Sequence, residues 1–416
     1  MAQTKIKTLD GRTLEGGGQL VRVAIALSAL TGQPVAISNI RGNRQKRGLK
    51  ASHIASILFL TKASGGTVQG AELGSTQLEF YAPSLAGVPD AIPVKSEYSI
   101  KLETPGSVFL MFQAVYPYLL HAGSLAGAES PIRLNLTGGT NVTFAPSVDY
   151  IEQVLMPNMS RLGMPPLEMH LHKRGWITGP RGLGDISVLV HLASGETRNH
   201  GFPPIDMNEH RRETVTKIDV TVLAPDTSIA SSDTGTIPLR KFIEGETVHS
   251  LEQRISELPS SLFQTTTTPI HIHTSEQTYH HTHVYILLVA HTSNGFRIGA
   301  DTLLDGIQKS RARRKQNPPR DSRNDTIPCT NALIQKCIDD FSKQLYDPAL
   351  DRQEMRHVPC VDGYMRDQLV IFETLGQTCN NTSNARAQIQ REDERYWSLH
   401  TQTAQWVCRQ FIKDPT

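Results

Sequence analysis

Apolar residues along the chain follow two rhythms. Alternation predicts strands over 5–10, 34–40, 67–72, 76–81, 96–102, 131–136, 167–174 and 185–192, with Leu78/Phe80 and Ile132/Leu134/Leu136 as the clearest cases. Between them, stripes at helical spacing predict helices through Ala24, Ile25, Leu27 and Leu30 (closed by Gly32), over 52–63 (stopped by Gly65-Gly66), from Gly106 through Tyr116 and over 150–162. From about 185 to 285 the texture shifts. Strands are expected at 216–223 and 284–290, with a helix near 241–257. This block reads as a smaller α/β domain inserted at 185–285 into a main domain made of 1–184 and 286–416. Beyond it, helices are expected at 330–345, 363–376 and 402–413. Four times a glycine-rich or polar turn leads into a similar amphipathic helix, at 16–31, 106–120, 363–376 and 401–413, a repetition of supersecondary units rather than a solenoid. The fold class expected is α+β.

Composition adds limits. The 416 residues suffice for a large core, and the net charge of +2 does not by itself mark a nucleic-acid binder. All five cysteines lie beyond position 328 without a CxxC pair, which points away from a disulfide framework or a cysteine zinc site. The amino terminus has no apolar leader, and no run reaches about 18 apolar residues, so secretion and membrane spanning are not expected. A nuclear or cytoplasmic location fits. Residues 309–328 hold seven Lys or Arg and almost nothing apolar, the mark of a disordered basic loop, either a solvated linker or a nuclear localisation signal. Nothing in the sequence speaks to oligomeric state.

Chemistry concentrates in a few stretches. Glu15-Gly16-Gly17-Gly18-Gln19-Leu20-Val21-Arg22 sets three glycines against a helix start, where backbone N–H groups can face a phosphate. Glu15 is suited to a metal ion, and Arg22 can return to the same pocket. The alternative is a plain flexible turn. Arg41, Arg44, Lys46, Arg47 and Lys50 make a basic loop fit for a phosphate backbone or simply for solvent. His271, His273, His280, His281 and His283 lack a carboxylate or cysteine partner, and read as a polar strand surface sooner than a metal site. Tyr364, Asp367 and Gln368 could stack on a base and bond a ribose, or Asp367 could cap a helix. His400 stands just ahead of a helix start, with Thr401 or Thr403 as its candidate cap, where backbone N–H groups favour phosphate; the alternative is an ordinary surface histidine beside a cap.

Together these stretches resemble the RNA 3′-terminal phosphate cyclase family. The matches run in order: Glu15 to Arg22; Ile40-Arg41-Gly42-Asn43-Arg44 with Gly48-Leu49; Gly70 to Thr76; Gly106-Ser107 with Gln113. Then come Gly138 to Asn141 with Ala145-Pro146 and Asp149-Tyr150, Tyr364 with Asp367-Gln368-Leu369, and Leu399 to Ala404. The resemblance implies repeated βαβαββ-type units, with helices on one face of four-stranded sheets and a smaller inserted α/β domain. It implies ATP and Mg²⁺ (or Mn²⁺) as cofactors and RNA with a 3′-terminal phosphate as partner, without a membrane. The implied product is a 2′,3′-cyclic phosphate. By residue, it makes His400 the adenylylated nucleophile, places the nucleotide at Gln113, Pro146, Tyr364, Asp367 and Gln368, the metal at Glu15, and phosphate at Arg22, Arg41 and Arg44.

The chain departs from the family after Arg174-Gly175, where Trp176 to Asp185 is longer and poorer in glycine. It departs again at Ser52, where glutamine is usual, and at 301–306. A non-catalytic cyclase-like protein acting in ribosomal RNA processing is the other reading, and that branch typically lacks the histidine found here at 400.

Overall fold

The computed structural model describes residues 5–83, 94–180, 182–193, 202–231, 235–304, 326–351, 358–379 and 394–412. Residues 309–325 of the basic loop lie outside this set. Residues 326–328 do not continue it, because they open a helix, Thr326–Leu345.

Three four-stranded sheets share one pairing pattern. In the first, β1 (Lys7–Asp10) runs parallel to β2 (Val35–Ser38), and β4 (Leu78–Tyr81) then pairs antiparallel with both β2 and β3 (Thr67–Gln69). The chain visits them as β1, α1 (Gln19–Thr31), β2, α2 (Ala51–Ser64), β3, β4, a βαβαββ unit. The second sheet repeats it with β5 (Glu97–Lys101), β6 (Ile132–Gly138), β7 (Leu167–Lys173) and β8 (Gly184–Val190). Its helices are α3 (Val108–Ala126) and α4, a run of Val148–Tyr150, a π turn Ile151–Leu155 and Met156–Arg161. The strands of these sheets alternate in burial, as period-2 patterning requires when one face is covered.

The third sheet has the same order of one parallel and two antiparallel pairings but another chain path. Here β12 (Ile270–Thr278) pairs with β9 (Val215–Pro225), then come β13 (Tyr285–Thr292) and β14 (Arg297–Leu303), while β10 (Ser228–Ser231) and β11 (Gly235–Pro238) form a separate hairpin. Its helices are α5 (Leu239–Glu257) and α6 (Thr326–Leu345). Consecutive residues of β13 belong to different cores. Ile286, Leu288 and Ala290 pack with α5 and α6, and Tyr285, Leu287 and Val289 face the main core. A strand buried on both faces is apolar throughout, which is why 284–290 lacks alternation. The boundaries 185–285 therefore need correction. Residues 185–190 belong to the second sheet through β8, whereas β13, β14 and α6 complete the unit built on β9 and β12.

One ion cluster ties the second and third sheets. The guanidinium of Arg174, just after β7, makes two bonds to Asp149 at 2.7 and 2.9 Å and reaches Glu276 of β12 at 2.8 Å. The two remaining helices, α7 (Gly363–Cys379) and α8 (Leu399–Phe411), return to the first layer: α8 packs on α1 and on α7, while α1 and α2 also meet α3. By length and composition α3 could cross a membrane, but it is mostly buried in this layer.

Candidate active site

The site forms where the first and last helices meet. Helix α8 begins earlier than the apolar stripe indicates, and His400 is its second residue rather than a residue ahead of it. Its cap is Ser398, whose Oγ accepts the Thr401 N–H at 3.0 Å; neither Thr401 nor Thr403 caps it. Thr403 accepts the Glu15 backbone N–H at 3.2 Å and donates to the Leu399 carbonyl, fixing the glycine turn against α8.

That turn is held in a shape few residues adopt. Leu14 and Gly16 have φ of 53° and 61°, and a Cβ on Gly16 would strike the side chain of Asn43. Asn43 in turn donates to the carbonyl of Arg12 at 2.7 Å, locking the basic loop onto the turn. The Glu15 carboxylate is thereby buried, paired with Arg44, and set 3.9 Å from Nε2 of His400. Among the described residues, its buried Oε2 has no hydrogen-bond partner, nor has the buried Nδ1 of His400.

His400 is half-buried. Burial, followed by the charges of Arg22 and Arg44, lowers its pKa from 6.5 to about 4, so the ring is neutral near pH 7. Arg22 is fully enclosed. Its Nε donates to Gln113 Oε1 at 2.7 Å and its Nη2 to Gln19 Oε1 at 2.6 Å. Burial lowers its pKa to about 10, against the pull of Asp367. Burial raises Asp367 to about 7, with Arg22 opposing, and Gln368 donates to its Oδ1 at 2.5 Å. Asp367 lies a turn inside α7 and is not its cap. Asp362 is, accepting the N–H of Tyr364 and of Met365 at 3.0 Å each. The same carboxylate takes the Tyr150 hydroxyl at 2.6 Å and the Gly299 N–H at 2.8 Å.

Tyr364 is 43% exposed, and its ring sits edge-on to Tyr150. With Ala145 and Ser147, the two neighbours of buried Pro146, it lines a cavity of ≈ 530 Å³ walled by β14 and α6. Ser147 is held by a 2.5 Å bond to Tyr285, which donates at 2.9 Å to Asp301 at the cavity wall. Six expected residues thus gather around Arg22 and His400: Glu15, Arg22, Arg44, Gln113, Asp367 and His400. Gln368 joins through Asp367, whereas Tyr364, three residues earlier on α7, lines a cavity that none of these residues line. Arg41 serves its own loop, donating to the carbonyls of Lys46 at 2.6 Å and Gly48 at 3.2 Å.

Gln19, Asp362 and Asp301 carry no motif signal of their own. Their roles depend on partners far along the chain. The histidine cluster divides: His271 and His273 lie on β12 across a register shift, while His280, His281 and His283 sit in the turn after it, with His283 stacked on Trp176 at 4.6 Å. Among the described residues no group of three or more His, Cys, Asp or Glu could hold a metal.

Fold and site define an α+β protein that sets a neutral histidine among arginines and one buried carboxylate. The chain belongs to the RNA 3′-terminal phosphate cyclase family, whose model matches residues 13–414. It is similar to the RNA 3′-terminal phosphate cyclases of Thermococcus sibiricus (37% identity over 45% of this chain and 48% of the relative) and Caldivirga maquilingensis (38% over 45% and 48%). For that of Methanococcoides burtonii the values are 35% over 44% and 50%. The aligned part spans about half the length of these curated relatives.

Proposed function

We propose that this protein converts an RNA 3′-terminal phosphate to a 2′,3′-cyclic phosphate at the expense of ATP. The observation that carries the reading is the setting of His400: neutral, half-exposed, 3.9 Å from Glu15, and flanked by Arg22 and Arg44. A neutral imidazole at a phosphate-directed cationic site is a nucleophile poised for a phosphorus centre.

With the ring proton on Nδ1, the lone pair of Nε2, the nitrogen that faces Glu15, attacks the α-phosphorus of ATP. The P–O bond to pyrophosphate breaks as the N–P bond forms. An oxygen of the RNA 3′-phosphate next attacks the histidyl-AMP phosphorus and frees His400. The ribose 2′-hydroxyl then attacks the 3′-phosphorus, AMP leaves, and the ring closes with the advantage of a nucleophile on the same sugar. Arg22 and Arg44 offset charge on the non-bridging oxygens. Tyr364 and the Pro146 turn offer a face to the base, and Asp367 with Gln368 offers polar groups to the ribose.

Glu15 suits a divalent ion, since one buried carboxylate with an unpartnered Oε2 can share Mg²⁺ or Mn²⁺ with phosphate oxygens. Such an ion would neutralise charge on the leaving pyrophosphate. Incubation with α-labelled ATP and Mg²⁺, then denaturing electrophoresis, is the test. Acid-labile label is expected on the wild type and none on His400→Ala; folded wild-type protein that takes no label would refute the reading.

A further inference from the structure

The phosphate-directed residues named so far are arginines. A donor of another kind stands beside them. His53, in the first turn of α2, is only 4% exposed. Its Nδ1 accepts the Lys50 backbone N–H at 3.1 Å, so that nitrogen carries the lone pair and a neutral ring holds its proton on Nε2. Burial, then Arg22, Arg41 and Lys50, keeps the ring from taking a second proton.

The Nε2–H is directed at the glycine turn. A Cβ built on Gly18 would lie 2.5 Å from His53 Nε2 and 2.8 Å from Arg22 Nη1. The lack of a side chain at Gly18 therefore lets an imidazole N–H and a guanidinium close in on the same point of the turn. Gly18 also caps α1 without a side-chain bond, so the first N–H groups of that 13-residue helix meet no capping side chain there. Gln19, 1% exposed, spends its Oε1 on Arg22 and Gln113 and leaves Nε2 buried with no partner among the described residues. His53 Nε2 has no hydrogen-bond partner among the described residues. Donors outnumber acceptors at this point, and the complement is an anion.

Capping of α2 explains only one side of the ring. The Nδ1 bond closes the start of the helix, yet capping does not require Nε2 to face Gly18 and Arg22. A neutral donor differs usefully from another cation. It adds a directed hydrogen bond to a phosphoryl oxygen without further repulsion around Lys50, whose pKa is already pushed down by burial and then by Arg41, Arg44, Arg22 and Lys46.

We propose that His53 binds a phosphoryl group beside the glycine turn, through Nε2–H and alongside Arg22. The proposal deepens the function given above and rests on it for the identity of the phosphate, which is either the RNA 3′-terminal phosphate or the β,γ-phosphates of ATP.

Three variants separate this role from capping. His53→Asn keeps an acceptor for the Lys50 N–H and loses the distal donor. His53→Gln keeps a distal N–H. His53→Ala loses both. Binding of inorganic pyrophosphate and of a short RNA ending in a 3′-phosphate is measured by calorimetry, alongside melting temperature and the rates of histidyl-AMP formation and cyclisation. The expected result is a tenfold or larger loss for His53→Asn at near-native melting temperature, with His53→Gln within about threefold of wild type. The loss should be equal at pH 6 and pH 8, because the donor is neutral at both. Loss confined to pyrophosphate and histidyl-AMP formation assigns the group to ATP; loss confined to the RNA and cyclisation assigns it to the RNA end. Wild-type affinity of His53→Asn for both probes, or failure of a folded His53→Gln to recover either, overturns the proposal. Pyrophosphate binding is read without turnover, so a wild type that never forms histidyl-AMP would sink the cyclase reading and leave this test standing.

Discussion

Nε2 of His400 stands 3.9 Å from Oε1 of Glu15, and the backbone N–H of the same glutamate bonds Thr403 on the next turn of the histidine's helix. The same carboxylate oxygen also pairs with Arg44. Glu15→Gln keeps the size and removes the charge. We expect self-adenylylation to fall by a factor of about 100 or more and to lose its response to Mn²⁺. Wild type treated with a chelator should behave likewise. A Glu15→Gln protein that still responds to Mn²⁺ would move the ion elsewhere.

The low pKa of His400 fixes the acid limb of the first step. With the folded value near 4 in place of 6.5, the imidazole stays unprotonated at pH 5.5. Label formation at saturating ATP should therefore be retained from pH 7.5 to pH 5.5, where an ordinary histidine would lose most of its rate. The stability sign is also set. His400 and His53 both have lowered values, so below 6.5 the unfolded chain takes up protons that the folded chain refuses. Their contribution is intact above pH 6.5 and declines as pH falls toward 4. In His53→Gln that part of the acid sensitivity in urea melts should shrink.

Asp362 accepts four hydrogen bonds in a buried position, and burial holds its pKa up while those donors pull it down. Asp362→Ala strands the Tyr150 hydroxyl and three backbone N–H groups. The cost should be about 3 kcal/mol or more in urea unfolding, combining a lost cap with unsatisfied buried donors. Asp362→Asn, which still accepts, should lose much less.

Arg174 is a harsher case. Its removal leaves Asp149 buried without its counter-ion, and Arg174→Ala should destabilise by about 3–5 kcal/mol. The Asp149→Ala/Arg174→Ala pair should recover part of that loss. Strict additivity of the two would show that the pair does not couple.

Tyr364 offers a half-exposed ring at the cavity mouth. Tyr364→Ala should raise the ATP concentration needed for half-maximal label by about tenfold, equivalent to about 1–2 kcal/mol of base stacking, whereas Tyr364→Phe should be nearly neutral. Equal losses for the two would assign the role to the hydroxyl.

Much of this site is legible in sequence because glycine-rich turns, arginines and a lone histidine recur in a recognisable order. The legible part ends where the reason for a residue lies in a distant partner. Ser398 escapes notice as a cap because exposed Leu399 follows it and the buried stripe starts later. Asp362 escapes because Asp367, one turn on, offers the same residue type. The domain boundary is misplaced because β13 feeds two cores at once, and a strand apolar on both faces gives no sign of which sheet it joins. His53 reads as one more helix residue until its approach to Gly18 and Arg22 is visible.

The bond between Glu15 and Thr403 joins positions 388 apart. A contact of that span closes a loop as long as nearly the whole chain, and its entropic cost is met only after the intervening sheets have formed. We therefore expect His400 and its carboxylate neighbour to come together late in folding. A partly folded or partly synthesised chain holds the arginines and the glycine turn but lacks the reacting pair. Appearance of histidyl-AMP is in that sense a clock for completed folding, and in a refolding experiment it should lag behind the recovery of helical signal.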